Sequence, residues 1–142
     1  RTYLHPMLRA FDAPTREECT AQRPISNTPL AALVLLNDPS FLECSRVFAA
    51  RVIREGGRTD ALRAAWAWRQ VLSRSPEERE VAALTRLLAS SRKQYTADPA
   101  AAAKFTSVGL TPRPAELNVS ELAAWTAVTR VLLNVDESLM RN

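Results

Sequence analysis

Residues 75–95 read SPEEREVAALTRLLASSRKQY, and this stretch decides the fold. Its first four residues combine a capping side chain, a proline and two acids, which is a typical start for a helix. Apolar side chains then recur at spacings of three and four, at Val81, Leu84 and Leu88, with Tyr95 in the same register. That spacing places them on one face of an α-helix. The stretch therefore predicts an amphipathic helix that packs one face against other helices.

The same kind of helix start recurs along the chain, as a capping residue followed by a proline or an acid. It occurs at Thr28-Pro29, Asp38-Pro39, Thr59-Asp60, Asp98-Pro99 and Asn118 with Glu121. Most of these starts precede an apolar stripe with helical spacing, such as Phe41, Cys44, Phe48 and Val52 after Asp38-Pro39. Asp98-Pro99 opens an alanine-rich segment, for which we predict a turn or a short helix. A final short turn is expected to end near Leu139.

The sequence therefore predicts an all-α fold. Only three glycines are present, and alanine, leucine and arginine, which have the lowest helical cost, are abundant. We expect a single domain over residues 1–142, in which residues 28–142 form a compact helical bundle of about five helices. Prolines at 6, 14 and 24 predict an irregular, extended N-terminal arm over residues 1–27. One short helix is expected in that arm, over Phe11–Cys19, with Asp12 as its cap and Pro14 in its first turn.

The charge pattern argues against a nucleic-acid interface. The net charge is +4, but the arginines are scattered and mostly alternate with glutamates, which is typical of solvated helix faces. No apolar run approaches the 18 residues that a transmembrane helix needs. Cys19 and Cys44 belong to no Cys-x-x-Cys motif, so we expect buried free thiols, or a disulfide if the protein is exported.

No catalytic or metal-binding residues are predicted. His5 is the only histidine and lies in the arm, where the sequence gives it no partner to orient it as a base. The acids mostly lie in first turns of helices, where capping explains them. Trp66, Trp68 and Trp125 lie on predicted helices, so a core role is favoured over stacking on a sugar. The sequence therefore predicts no metal and no cofactor in this domain, and leaves open whether the protein is an enzyme.

Polar side chains cluster in the arm, at Asp12, Arg16, Arg23 and Asn27. In a loop that crosses a bundle, such residues form either a buried lock of hydrogen bonds and ion pairs or the lining of a binding surface. The lock is favoured because the backbone of a crossing loop must find hydrogen-bond partners. These four residues are the candidate binding site that the sequence offers.

Several segments carry a resemblance to a known family. They are FDAPTREECT at 11–20, Arg23, NTPLAALVLLNDP at 27–39, WRQVLSRSP at 68–76, AAWTAV at 123–128 and LLNVDE at 132–137. Together they resemble the C-terminal portion of a family of unknown function that is widespread in planctomycete-type bacteria. Members of that family often carry a cytochrome c domain and a second uncharacterised domain, both N-terminal to this region.

The resemblance implies that the chain is a fragment of a longer, exported protein of the periplasm or cell envelope. It implies a helical C-terminal module that serves the preceding domains as a structural or interaction domain. A haem, where present, would belong to another domain, because this chain has no Cys-x-x-Cys-His. The alternative is that the module contributes residues to an active site shared with the preceding domain, in polysaccharide breakdown or a redox-coupled reaction.

Overall fold

The computed structural model describes residues 6–14, 21 and 28–139, and within them all regular structure is helical. Eight helices occur in this part of the chain. They are α1 (Pro6–Ala10), α2 (Pro29–Asn37), α3 (Pro39–Glu55), α4 (Asp60–Leu72), α5 (Glu78–Ala97), α6 (Pro99–Thr106), α7 (Val119–Leu132) and α8 (Asp136–Leu139).

Helix α7 lies at the centre of the bundle, with its main contacts to α3, α5 and α6. Eight of its fourteen residues are buried, and Trp125 is the largest fully buried side chain. The Thr129 hydroxyl donates a 2.8 Å hydrogen bond to the carbonyl of Ser45 and so joins α7 to α3. Trp68 is also buried in the core, which confirms the core role predicted for these two aromatic residues.

The predicted caps are confirmed at five helix starts: Thr28, Asp38, Thr59, Asp98 and Asn118 each accept a hydrogen bond from a backbone N–H in the first turn. Asp38 serves two helices. Its own N–H donates to the carbonyl of Val34 and ends α2, while its carboxylate accepts from the N–H of Ser40, at 2.8 Å, and starts α3. The two helices therefore meet at a single fixed residue.

The start of α5 differs from the prediction by two residues. The cap is Glu77 rather than Ser75, and Glu80 completes a capping box by accepting the Glu77 N–H at 2.7 Å. A carboxylate at the third helical position satisfies the backbone N–H of the cap directly. The capping box therefore fixes the helix start after the proline.

The all-α class is confirmed, but the number of about five helices is too low. The alanine-rich segment forms a full helix, α6, the final turn forms α8, and the arm contains α1, so it is not wholly irregular. Proline is tolerated in the first turn of a helix, and Pro6 occupies the first position of α1. The short helix predicted over Phe11–Cys19 is wrong in its described part. Asp12 has a positive φ of 54°, and Pro14 is not helical. Residues 15–19 of that prediction lie outside the described residues.

The inner face of α3 matches its predicted stripe in part, since Val52 is buried in the core and Phe48 packs against it. Cys44 is exposed as a free thiol, whereas Ser45 and Ala49 are buried against the core. Small side chains let α7 approach closely, so the buried face of α3 is not its most apolar one. Arg46 is only 2% exposed, which corrects the expectation that the arginines lie on solvated faces. His5 and Cys19 lie outside the described residues.

Two arginines join helix ends to one another. Arg92 on α5 binds Asp60 at the start of α4 and Glu121 at the start of α7, with four hydrogen bonds of 2.8–3.1 Å. Arg74 binds Glu80 on α5 and Glu137 on α8 in the same two-pronged way. Bidentate arginine–carboxylate pairs fix orientation as well as distance, so these contacts set the relative positions of four helices.

Candidate functional site

The candidate polar cluster of the arm is described at one position only. Asp12 follows α1, is half-buried, and its N–H donates to the carbonyl of Arg9 at 3.2 Å. Its left-handed backbone is a conformation that aspartate adopts more readily than most residues. Arg16, Arg23 and Asn27 lie outside the described residues. Whether the four side chains converge therefore stays a prediction.

Exposed apolar side chains occur at Leu8 on α1, at Phe11 directly after it, and at Leu30 and Leu33 on α2. We call these four residues the α1–α2 face. Leu30 and Leu33 are each 56% exposed, and the two helices contact one another. Exposed apolar side chains grouped on neighbouring elements are typical of interaction surfaces, whereas single ones are common anywhere.

The sequence of α2 explains why this face is apolar. Its nine residues, PLAALVLLN, contain no charged side chain, so apolar residues point in all directions around the helix. Ala31 and Leu35 are buried against the bundle, which leaves Leu30 and Leu33 on the outer side. A helix that is apolar all round is normally covered on all sides. The outer side of α2 is therefore suited to covering by another surface.

A second feature is a loop held by two charged residues of α3. We call it the Glu43–Arg46 clamp. The Glu43 carboxylate accepts the backbone N–H groups of Leu110, at 2.9 Å, and Thr111, at 2.6 Å. The Arg46 guanidinium donates to the carbonyls of Thr111, at 2.6 Å, and Pro112, at 3.4 Å. The clamp holds the backbone while the Leu110 side chain is 98% exposed.

The electrostatics of the clamp favour the charged form of Glu43. Hydrogen bonds from the side chain of Thr111 and from the backbone of Leu110 and Thr111, together with the nearby charge of Arg46, lower the pKa of Glu43 from 4.5 to about 2. Hydrogen bonds to a carboxylate stabilise its ionised form. The loop is therefore held by a group that stays ionised in all but strongly acidic solution.

Glu43 gives the protein a testable pH dependence. Its pKa is lower in the folded chain than its ordinary value of 4.5, so the unfolded chain binds a proton more readily. The contribution of Glu43 to stability is therefore fully present above pH 4.5 and is lost as the pH falls toward 2. Denaturant unfolding from pH 6 down to pH 2 is expected to show a shallower decline for Glu43→Gln than for the unchanged protein. Parallel curves for the two proteins would contradict this assignment.

Within the described residues, no group of three or more His, Cys, Asp or Glu side chains is placed to hold a metal ion. None of the helices in the described ranges has the length and apolar character needed to cross a membrane.

The family to which the chain belongs is given by its first 88 residues. They match the family described as PSD1, a protein of unknown function (DUF1553). The match covers 88 of the 142 residues, more than half of the chain. The chain belongs to the DUF1553 family. The match contains the α1–α2 face and the Glu43–Arg46 pair, while the loop held by that pair and the central helix α7 lie beyond it. No curated protein and no solved structure matches this DUF1553 chain.

Sequence reasoning missed both described features of this DUF1553 chain. The α1–α2 face had a signal, since a nine-residue helix without a charge cannot be amphipathic. The clamp had none, because Glu43 and Leu110 are 67 residues apart and nothing in either segment specifies the other. The spacing of residues in a segment predicts which face of a helix is apolar. It does not predict which distant loop contacts that face.

Proposed function

We propose that this chain is a helical docking module that binds another domain of its parent polypeptide through the α1–α2 face. The observation that carries the proposal is the exposure of Leu30 and Leu33 on a helix that has no charged residue. Covering a leucine side chain that is otherwise exposed to water stabilises a complex by about 1.5–3 kcal/mol. A face with several such side chains is a suitable centre for an interface with a polar rim.

The resemblance described above supports the identity of the partner. On this proposal the parent is an exported, multidomain protein of the periplasm or envelope, of the planctomycete-type, cytochrome c-associated kind. The partner is the domain that precedes this one, and any haem belongs to another domain of the parent. The module acts in architecture and interaction. The alternative of a shared active site rests on the polar cluster of the arm, of which only Asp12 is described.

The docking proposal predicts a strong effect of a charge on α2. Leu33→Glu is expected to weaken binding to the N-terminal remainder of the parent, supplied as a separate chain, by at least about tenfold, because a carboxylate would be buried without a partner. The stability of the isolated module is expected to change by no more than about 0.5 kcal/mol, since the side chain is exposed. Titration calorimetry and thermal unfolding measure the two quantities.

A matched control is Leu62→Glu, since Leu62 on α4 is 54% exposed, almost the same as Leu33. This variant is expected to bind as tightly as the unchanged module. Equal weakening by both substitutions, or by neither, would refute the α1–α2 face as the docking surface.

A further inference from the structure

Besides the α1–α2 face and the Glu43–Arg46 clamp, the protein has a cavity at the opposite end of α2 from the Thr28 cap. It has a volume of about 250 Å³ and lies between α2, α3, the end of α7 and α8. Its described walls are mostly apolar and include Leu35, Phe41, Leu133 and Leu139. For comparison, an engineered apolar cavity of about 150 Å³ binds benzene. The cavity is therefore large enough for a molecule with a single six-membered ring and a small substituent.

Two polar atoms in the walls of this cavity have no hydrogen-bond partner. They are Nε of Arg130 and Oδ1 of Asn134, and both are buried. Buried polar atoms in proteins are nearly always hydrogen-bonded, and two of the four unpaired ones among the described residues belong to side chains that line this one cavity. One atom is a donor and the other is an acceptor. A hydroxyl group can pair with either kind of atom, since its oxygen accepts from an N–H and its hydrogen is donated to a carbonyl oxygen.

The surroundings of the cavity allow a ligand to enter and be held. Cys44 borders the cavity and is itself exposed, so the cavity reaches the surface beside this residue. On the other side, α8 is held in place by the bidentate contact of Arg74 with Glu137, at 2.7 and 2.8 Å. The wall contributed by Leu139 is therefore anchored to the connection between α4 and α5.

We infer that this cavity is a binding site for a small, neutral, ring-containing alcohol or phenol. The apolar walls hold the ring, and Arg130 and Asn134 bind the hydroxyl group. This inference is independent of the docking function, since it concerns a different set of residues and needs no partner domain.

The test compares three probes of similar size: p-cresol, toluene and benzoate. By titration calorimetry or NMR titration of the full 142-residue chain, p-cresol is expected to bind at least about tenfold more tightly than toluene, because toluene leaves both polar atoms unpaired. Benzoate is expected to bind more weakly than p-cresol, since its carboxylate cannot donate to Oδ1 of Asn134. Equal binding of p-cresol and toluene, tightest binding of benzoate, or no binding of p-cresol would each overturn the inference.

A substitution at Asn134 tests where the hydroxyl group of the ligand binds. Asn134→Leu removes the acceptor while keeping the number and branching of side-chain heavy atoms, and is expected to bring the affinity ratio of p-cresol to toluene close to one. The control Asn37→Leu changes an exposed asparagine on α2 and is expected to leave the ratio unchanged. An unchanged ratio in Asn134→Leu would place the hydroxyl elsewhere and overturn the assignment.

A chemical readout tests the location without altering the walls. In a Cys19→Ser background, p-cresol is expected to slow the reaction of Cys44 with a disulfide reagent such as DTNB, because Cys44 borders the cavity. A rate that is the same with and without saturating p-cresol would contradict binding at this site.

Discussion

Gly109→Ala is expected to lower the free energy of unfolding by about 3 kcal/mol, through strain and overlap together. Gly109 has a φ of 104°, a conformation that residues with a Cβ rarely adopt. An added Cβ would also lie 2.7 Å from Cβ of Glu43 and would overlap its carboxylate, so the clamp on the loop would have to move. Thermal and denaturant unfolding measure the loss.

The protein contains a close control for this substitution. Gly57 has nearly the same φ, 103°, but the nearest atom to an added Cβ there is Cβ of Leu62, at 3.2 Å. Gly57→Ala is therefore expected to cost only the backbone strain, about 1–2 kcal/mol. Equal losses at the two glycines would show that overlap with Glu43 contributes nothing.

A double substitution separates the backbone strain at Gly109 from the overlap with Glu43. Once Glu43 is replaced by alanine, the carboxylate is gone and the added methyl group meets only Cβ at position 43. Gly109→Ala is then expected to cost less in the Glu43→Ala background than in the unchanged protein, and the difference is the coupling between the two positions. Strict additivity would argue against the clamp.

Trp125→Ala is expected to have an effect of similar or larger size, about 3–5 kcal/mol. Trp125 is fully buried in the central helix, and its Nε1–H donates to Glu121 at 3.0 Å. Alanine would leave a cavity between α7 and the helices around it, and would leave that carboxylate oxygen without its indole donor. A fall in melting temperature of about 10 °C or more is expected in calorimetry.

Trp66 provides the matched comparison, since it is the same residue type at a half-buried position. It stacks on Phe48 with 6.1 Å between ring centroids, and the guanidinium of Arg51 lies over it at 5.5 Å. Trp66→Ala is expected to cost about 1–2 kcal/mol, because surrounding water can fill much of the space. A loss at Trp66 as large as that at Trp125 would contradict the position of the core at α7.

The helices of this fold could be predicted from the sequence because their starts are encoded locally. Thr59 and Asn118 each accept a backbone hydrogen bond within three residues, so a short segment contains all the necessary information. The small polar part of the inner face of α3 could not be predicted in this way. Ser45 is buried because Thr129 approaches it from a helix 84 residues further along the chain, and a small polar residue does not look like part of an apolar stripe.

The candidate site divides in the same way. The apolar character of α2 can be seen in nine consecutive residues, so the need for a covering surface on its outer side can be predicted. Arg46 is buried because the loop after α6 supplies two carbonyl acceptors, from residues 65 and 66 positions away. An arginine in a helix otherwise predicts a solvated face, so only the tertiary structure identifies this one as a structural anchor.

The position of α7 in the chain has a consequence for folding during synthesis. The helix on which α3, α5 and α6 pack is made after all three of them, and it begins at Val119. Until that helix leaves the ribosome, the earlier helices lack the surface that buries their apolar faces. The segment from 29 to 106 therefore emerges with exposed apolar surface, and contacts such as Thr129 with Ser45 close only when translation of the bundle is nearly complete.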